Sequence, residues 1–168
     1  MDINIIETDR LILREITEED ADDIVRMRSE PDVYRYFKSP HMITIDEHLA
    51  WYRNSYMYND NRIDWICVEK DNDMKIGVFG LIIIENNAEV SYILKPDARH
   101  MGYASEAMMA IIRYADKTLN IKQFIAEIHN ENHHSISFVK KIGFRFMKEK
   151  GDFVIYQYEK DYYEKVGI

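Results

Sequence analysis

A loop that leads into a helix is the first feature of this sequence that suits chemistry. Ser91–Leu94 has the pattern of a strand end, and apolar residues recur with helical spacing over 104–119. Arg99–Ala104 is therefore predicted to feed a helix N-terminus. Free N–H groups and the helix dipole favour an anion there, and Gly102 lets backbone approach it closely. A pyrophosphate is such an anion, although an ordinary strand-to-helix turn has the same pattern.

A second segment, Asn132–Phe144, fits the pattern N-x-x-[AS]-x-x-[FL]-[YV]-x-K-x-G-F, while Arg99–Ala104 fits [RQ]-x-x-G-x-[GA]. In this order, with a strand-sized apolar run between them, the two motifs resemble the GNAT superfamily of acetyl-CoA-dependent N-acetyltransferases. Glu7–Arg14 and Ala88–Pro96 are similar to the corresponding segments of its RimJ/RimL-like branch.

The resemblance implies an α/β (α+β) fold for a single domain over residues 1–168. That fold has a mixed, mostly antiparallel sheet, splayed central strands and about four helices. Predicted strands are 10–14, 63–69, 75–84, 88–94, 122–128, 144–150 and 153–159. Helices are predicted from Thr17, closed by Pro31, and from Thr44, with further helices from Ala104 and over Asn132–Ile142.

The resemblance also implies acetyl-CoA as the cosubstrate. The pyrophosphate would lie on amides from His100 to Ser105, and the pantetheine arm would lie in the splay, beside Ile93 and Leu94. Asn132 and Ser135 would reach that arm. The predicted coenzyme-binding residues are Ile93, Leu94, Arg99, His100, Met101, Gly102, Tyr103, Ala104, Ser105, Asn132 and Ser135.

Acylation of an amine requires a base, because a protonated amine has no lone pair to attack the thioester carbonyl. Glu89 is the predicted base, since it shares a strand face with Ser91 and Ile93 just before the splay. A solvent-facing carboxylate, or one paired with Lys or Arg, is the alternative for Glu89.

In the family that this sequence resembles, a Tyr often protonates the leaving thiolate, and this chain has Val139 at that position. Either another group protonates the thiolate, or it leaves unprotonated, or activity is reduced. We expect Val139 to face the site, because Phe138 and Ile142 can supply the buried face of the last helix. Three other residues are conceivable acids: Tyr34, Tyr156 and Tyr158.

The acceptor amine is predicted from the segment between the first two helices, residues 31–52. It resembles the "I(T)xxEHLxW" region of the amino-sugar N-acetyltransferases of pseudaminic acid biosynthesis, which act on a UDP-linked 4-amino sugar. The resemblance implies that His48, Tyr34 and Arg35 line the acceptor site, with Arg35 or His41 near a nucleotide phosphate.

Several alternatives to this acceptor stay open. Thr44–Glu47 and His48 have a plainer interpretation, as a helix cap and a surface residue. The acceptor could equally be a protein N-terminal amine or a polyamine. A non-catalytic domain that senses acetyl-CoA is the alternative outside the enzymes.

Composition limits the other possibilities. A chain of 168 residues suits one domain, and a net charge of −8 argues against nonspecific nucleic-acid binding. No apolar run approaches the roughly 20 residues of a membrane span. Met1–Asn4 does not resemble the start of a signal peptide, and Cys67 is the one cysteine, so we expect a cytoplasmic protein. We expect a small-molecule amine as partner, and a monomer or homodimer.

A metal site is not expected. His133 and His134 are adjacent on a predicted helix, so their side chains point about 100° apart and cannot face one ion.

Overall fold

An eight-stranded sheet organises residues 5–160, the part of the chain that this computed structural model describes. Met1–Asn4, on which the expectation of no signal peptide depends, lies outside it. The strands are β1 (Ile6–Glu7), β2 (Leu11–Glu15), β3 (Arg62–Glu69), β4 (Lys75–Ile84), β5 (Asn87–Leu94), β6 (Gln123–His129), β7 (Phe144–Lys150) and β8 (Phe153–Tyr158). Across the sheet they run β1-β2-β3-β4-β5-β6-β8-β7. Among the strands of residues 5–160, β5 and β6 are the one pair that runs parallel.

The helices of the described residues are α1 (Ala21–Arg28), α2 (Pro31–Tyr34), α3 (Ile45–Asn54), α4 (Tyr103–Thr118) and α5 (His133–Lys141). Local capping interactions explain where two of these helical segments begin. A capping box at Thr17 opens the 3-10 turn before α1, and another joins Thr44 to Glu47 at the start of α3. The prediction that Pro31 closes the first helix was wrong. α1 ends at Arg28, and Pro31 opens α2 because proline suits a first helical position.

Two hydrophobic cores lie on opposite faces of the sheet. The larger packs α4 and α5 against alternate residues of the central strands, among them Phe79, Val90 and Ala126. The smaller packs α1 and α3 against Ile66 and neighbouring residues of β4 and β5. The sheet is therefore covered by helices on both faces, which suits the nearly continuous apolar run of β4.

Val139 belongs to the larger core and is only 2% exposed. The expectation that it faces the active site was wrong. Val139 is itself the buried residue of α5, whereas Phe138 is only partly buried, against Tyr92. The sequence could not rank these apolar neighbours, because the angle at which α5 meets the sheet decides which of them points inward.

The sheet opens between β5 and β6. These strands form three residue pairs, and the last joins Glu89 to Ile125. Beyond Glu89, β5 stays paired with β4 alone, through to Leu94. The predicted fold with splayed central strands is thus confirmed, and the gap connects the α4/α5 face of the sheet with the α1/α3 face. No helix within residues 5–160 is long and apolar enough to cross a membrane.

Candidate active site

The loop before α4 presents six consecutive backbone N–H groups, from His100 to Ser105. Within residues 5–160 none of them donates to a protein acceptor, and the next N–H, of Glu106, bonds to the Gly102 carbonyl at 3.1 Å. His100 and Gly102 have φ angles of 63° and 85°, in the left-handed region. Left-handed residues at alternate positions are typical of backbone loops that bind an anion at a helix N-terminus.

The guanidinium of Arg99 contacts other residues of the protein. Its Nε donates to the Leu94 carbonyl at 3.3 Å, and its Nη1 pairs with Asp32 of α2. The side chain is thus a brace between the end of β5 and α2, not a free surface cation. The Arg99 N–H donates to the Pro96 carbonyl at 3.1 Å, and the Leu94 carbonyl already accepts from Arg99 Nε.

The predicted coenzyme residues of α5 lie against the splayed half of β5. Asn132 caps the helix by accepting from Ser135 N at 3.1 Å. The Ser135 hydroxyl lies 3.2 Å from the Tyr92 hydroxyl, and the rings of Tyr92 and Phe138 are 4.6 Å apart. Ile93 points to the other face, where it packs with the smaller core.

Tyr92 was not among the predicted site residues. Burial raises the pKa of its phenol, so it stays protonated and able to donate a proton. The two-residue period of a strand already places Tyr92 on the face opposite Glu89 and Ser91, so the sequence held this signal. Tyr156 and Tyr158, the acids considered instead, pack with the larger core farther along β8.

Glu89 lies where β5 leaves β6, on the α1/α3 face, as its sequence position indicated. Its carboxyl is half-buried and, among residues 5–160, has no hydrogen bond or ion pair. Burial raises the pKa of Glu89, and the positive charge of Lys38, which forms no ion pair with Glu89, lowers it by a smaller amount. Its catalytic role stays a prediction, but the alternative of a carboxylate paired with Lys or Arg is not what the geometry shows.

Two other carboxylates on this face are neutralised by direct partners. Asp64 pairs with Arg62 at 2.7 Å, and Glu127 pairs with Lys38 and Lys150, each at 3.0 Å. Both carboxylates are almost fully buried and were missed by the sequence analysis.

Gly80 makes room for Asp64. A Cβ at Gly80 would lie 2.2 Å from the Asp64 carboxylate and 2.8 Å from the Ser91 hydroxyl. The Asp64 side chain can therefore reach across β4 toward β5 only because the intervening residue is glycine.

His48 is buried, 5% exposed, with its ring 5.4 Å from that of Trp51. The alternative of a surface His48 was wrong, although the cap formed by Thr44 and Glu47 is present. His48 Nε2 has no hydrogen-bond partner in the described part of the chain. Burial lowers the pKa of His48, and the charge of Arg28 lowers it further.

Arg28, at the end of α1, was also missed by the sequence analysis. Its guanidinium lies over the Phe37 ring at 4.8 Å and near Arg62, and its buried Nε lacks a partner. No hydrogen bond or ion pair joins Arg28 to another residue between 5 and 160. Burial lowers the pKa of Arg28 and the charge of Arg62 lowers it further, while the charge of Asp64 acts in the opposite direction.

The other predicted acceptor residues are placed less tightly. Arg35 stacks on Tyr36 and donates to its hydroxyl at 2.8 Å, and Tyr34 ends α2. No described contact joins either residue to His48. His41 donates to the Ser39 carbonyl at 2.9 Å and is exposed.

Comparisons with known proteins agree on one family. A family model described as "Acetyltransferase (GNAT) domain" matches residues 10–145. The uncharacterized N-acetyltransferase YoaA of Bacillus subtilis is 30% identical over 146 residues, covering 84% of this chain and 82% of YoaA.

Two solved structures share the fold. The nucleotide-linked sugar GNAT FdhC, in its apo form, has a TM-score of 0.81 at 22% identity, covering 96% of this chain and 93% of FdhC. Spermidine N-acetyltransferase from Vibrio cholerae, in complex with CoA and spermine, has a TM-score of 0.77 at 18% identity, covering 89% of this chain and 94% of that one.

Proposed function

Because this chain belongs to the GNAT acetyltransferase family, we propose that it transfers the acetyl group of acetyl-CoA to the primary amine of a small molecule that also carries an anionic group. A nucleotide-linked amino sugar is the acceptor that we favour. The chain is an acetyl-CoA-dependent N-acetyltransferase by family. The proposal adds the class of acceptor and the roles of the residues, with acetyl-CoA and acceptor meeting in a ternary complex in the cytoplasm.

The observation that carries the proposal is the distribution of unpartnered charge on the α1/α3 face. Asp64 and Glu127 have cations within 3.0 Å, whereas Glu89 and Arg28 have no direct partner within residues 5–160. An acceptor with an ammonium at one end and an anion at the other would neutralise both. Such pairing would also offset the penalty of burying each charge alone.

The register of the sheet allows the distance between these charged groups to be estimated. Arg62, Ile82 and Glu89 occupy one row across β3, β4 and β5. At about 4.8 Å per strand, the backbones of Arg62 and Glu89 are about 10 Å apart. Arg62 is close enough to influence the pKa of both Glu89 and Arg28. The acceptor would therefore extend from Glu89 past Arg62 toward Arg28 and His48, a span that suits a sugar linked to a phosphate.

Acetyl-CoA would occupy the other face. Its pyrophosphate would accept from the amides of His100–Ser105, and its arm would enter the gap beside Ile93, Leu94 and Ser135, near the cap residue Asn132. The gap joins both faces, so the thioester can meet an amine that approaches from the Glu89 side. This arrangement needs no bound metal.

The chemical step can be assigned to groups on the two faces. Glu89 takes a proton from the ammonium, and the amine lone pair then attacks the thioester carbonyl carbon. As the C–S bond breaks, the thiolate takes a proton from the Tyr92 hydroxyl, which the Ser135 hydroxyl helps to hold. The nitrogen loses its second proton as the amide forms, and that proton returns the Tyr92 phenolate to the phenol through solvent, while Glu89 releases its proton to solvent. This role for Tyr92 explains how the chain can dispense with a Tyr at Val139.

The alternatives fit the charges less well. A polyamine, the ligand in the spermine complex of the Vibrio cholerae enzyme, would meet the positive charge of Arg28, which has no ion pair within residues 5–160, and would bring no anion to it. A protein N-terminus offers an amine but no fixed anion at a set distance. A sensor that only binds acetyl-CoA would have no use for an unpaired Glu89 at the gap.

Two measurements test the proposal. Acetyl-CoA at a hundred times its dissociation constant should add about 2.7 kcal/mol to the free energy of unfolding, seen as a higher melting temperature. A screen should then compare a UDP-linked 4-amino sugar, the same amino sugar without UDP, spermidine and a short peptide. We expect the highest kcat/KM for the UDP-linked sugar. Absence of a thermal shift would contradict the coenzyme site, and a preference for spermidine would contradict the acceptor class.

A further inference from the structure

We propose that Arg10 is a positioning residue for the coenzyme, because it fixes the direction in which the Gly102 N–H points. Arg10 precedes β2 and is far from the loop in sequence. The inference rests on the proposed coenzyme site at His100–Ser105. It assigns a role to a side chain that does not itself need to touch acetyl-CoA.

The contact that carries the inference is a hydrogen bond from Arg10 Nη1 to the Met101 carbonyl, at 3.0 Å. That carbonyl and the Gly102 N–H belong to one peptide unit. In a trans peptide the C=O and N–H point in opposite directions. Because Arg10 holds the carbonyl on its own side, the Gly102 N–H must point away from Arg10.

The loop needs such a constraint. His100 has a left-handed φ of 63°, which is unfavourable for a residue with a side chain, and Gly102 follows in the same region. The six N–H dipoles from His100 to Ser105 also lack acceptors among the described residues when no anion is bound. Rotation of the Met101–Gly102 peptide, through ψ of Met101 and φ of Gly102, would turn the Gly102 N–H away from its neighbours. Glycine permits that rotation, so a contact from outside the loop is needed to prevent it.

Arg10 is itself held in place. Its Nε and Nη2 donate to Glu106 Oε2 at 2.7 and 2.6 Å, and its backbone N donates to Glu106 Oε1 at 3.0 Å. The Thr8 hydroxyl donates to Glu106 as well, and the guanidinium lies 4.4 Å from the centre of the Tyr103 ring. The planar fork of arginine is what lets one side chain hold Glu106 and Met101 together.

A simpler role must be separated from this one. Glu106 lies in the first turn of α4, where its charge would repel a pyrophosphate unless Arg10 balanced it. A variant that removes Arg10 alone would weaken binding under either explanation. Removing the charges of both Arg10 and Glu106 distinguishes the two explanations. The double variant restores the charge balance, but the Met101 carbonyl still lacks its hydrogen bond from Arg10.

The experiment compares wild type with Arg10→Gln, using the best amine of the acceptor screen. We expect KM for acetyl-CoA to rise about tenfold or more, as for loss of a charged hydrogen bond, with kcat at saturating acetyl-CoA unchanged. KM for acetyl-pantetheine, which lacks the pyrophosphate, should not change. Lys70→Gln is the matched control. Lys70 Nζ donates to the Thr8 carbonyl at 2.6 Å, so it stabilises the segment that precedes β2, but it does not contact the loop His100–Ser105.

Four results would overturn the inference. They are an unchanged KM for acetyl-CoA, an equal rise for acetyl-pantetheine, an equal rise in Lys70→Gln, and recovery of wild-type KM in Arg10→Gln/Glu106→Gln. A KM that stays high in the double variant supports it. If Arg10→Gln does not fold, Arg10→Lys replaces it, with a smaller rise expected and no rise counting against the proposal. Failure of the wild type to bind acetyl-CoA would instead contradict the proposed function.

Discussion

The two sides of the gap between β5 and β6 are built in different ways. On the α4/α5 side, the proposed coenzyme site consists mainly of backbone N–H groups from consecutive residues, His100–Ser105. On the α1/α3 side, the proposed acceptor site consists of side chains from three elements, Arg28, His48 and Glu89. The backbone site would bind its anion through N–H groups that every residue except proline carries, provided that the loop keeps its shape. The side-chain site can be altered one charge at a time, so it can set acceptor specificity while the coenzyme stays the same.

The largest test of this contrast is Glu89→Gln. The change preserves shape and removes the proton acceptor, so turnover at neutral pH should fall by about 10²–10⁴. The dissociation constant of acetyl-CoA should not change, because the coenzyme lies on the other side of the gap. Steady-state kinetics and calorimetry measure the two quantities. Glu149→Gln, on the exposed edge strand β7, is the control for lost charge. Near-normal turnover in Glu89→Gln would remove Glu89 from the mechanism.

Gly102→Ala tests the backbone side. A side chain at a φ of 85° is strained, and its Cβ would lie 3.3 Å from Arg10 Nη2. A cost of about 1–3 kcal/mol in the bound conformation predicts roughly a tenfold to hundredfold weaker acetyl-CoA affinity by calorimetry. Gly151→Ala is the matched control, since Gly151 has a φ of 61° with nothing nearby. It should lose stability but bind the coenzyme normally. Equal affinity in wild type and Gly102→Ala would contradict the amide cradle.

Arg28→Gln tests whether the acceptor side recognises an anion. Loss of one charged hydrogen bond should raise KM for a UDP-linked amino sugar about tenfold or more. KM for acetyl-CoA should stay the same, as should KM for an uncharged amine. Arg26→Gln, one exposed residue of the same helix, controls for net charge. An equal rise in KM for charged and uncharged amines would show that Arg28 only supports the fold.

Val139→Tyr tests whether the side chain at this position lies in the hydrophobic core or reaches the active site. Val139 is buried against the larger core, so the added ring should overpack it and cost about 1–3 kcal/mol of unfolding free energy. Denaturant unfolding measures that loss, and turnover of the folded fraction should not rise. A stable variant with faster turnover would mean that the side chain reaches the thioester after all.

The smallest expected effect is a change in the melting temperature of the Glu89→Gln variant with pH. Burial raises the pKa of Glu89, so the folded state binds the proton more tightly than the unfolded state does. Stability from this group is therefore present below its ordinary pKa of about 4.3 and falls as pH rises through the raised value. Glutamine stays neutral, so the variant should melt at an equal or higher temperature than wild type at neutral pH. The difference should vanish in acid, and a lower melting temperature at neutral pH would indicate a hidden partner for Glu89.

The prediction from sequence succeeded where neighbours in the chain are also neighbours in the fold. The loop that leads into α4, the start of the last helix near Asn132, the helix start at Thr44 and the strand face of Glu89 all depend on a few consecutive residues. It failed for Pro31, where two local rules competed, and for Val139, where three apolar residues of one helix were equally plausible core positions.

The sequence by itself thus determined the loop before α4, the helix starts and the strand faces, because φ angles, caps and strand alternation are short-range properties. The splay between β5 and β6 was implied by the family resemblance. Only the tertiary structure decided which charges are left without a partner. Arg28 and Glu127 look like ordinary surface charges in the sequence. Glu127 is neutralised by Lys38 and Lys150, from two distant segments, and Arg28 by no residue between 5 and 160. Pairing depends on which segments the packing of helices and sheet brings together, and that is a long-range property.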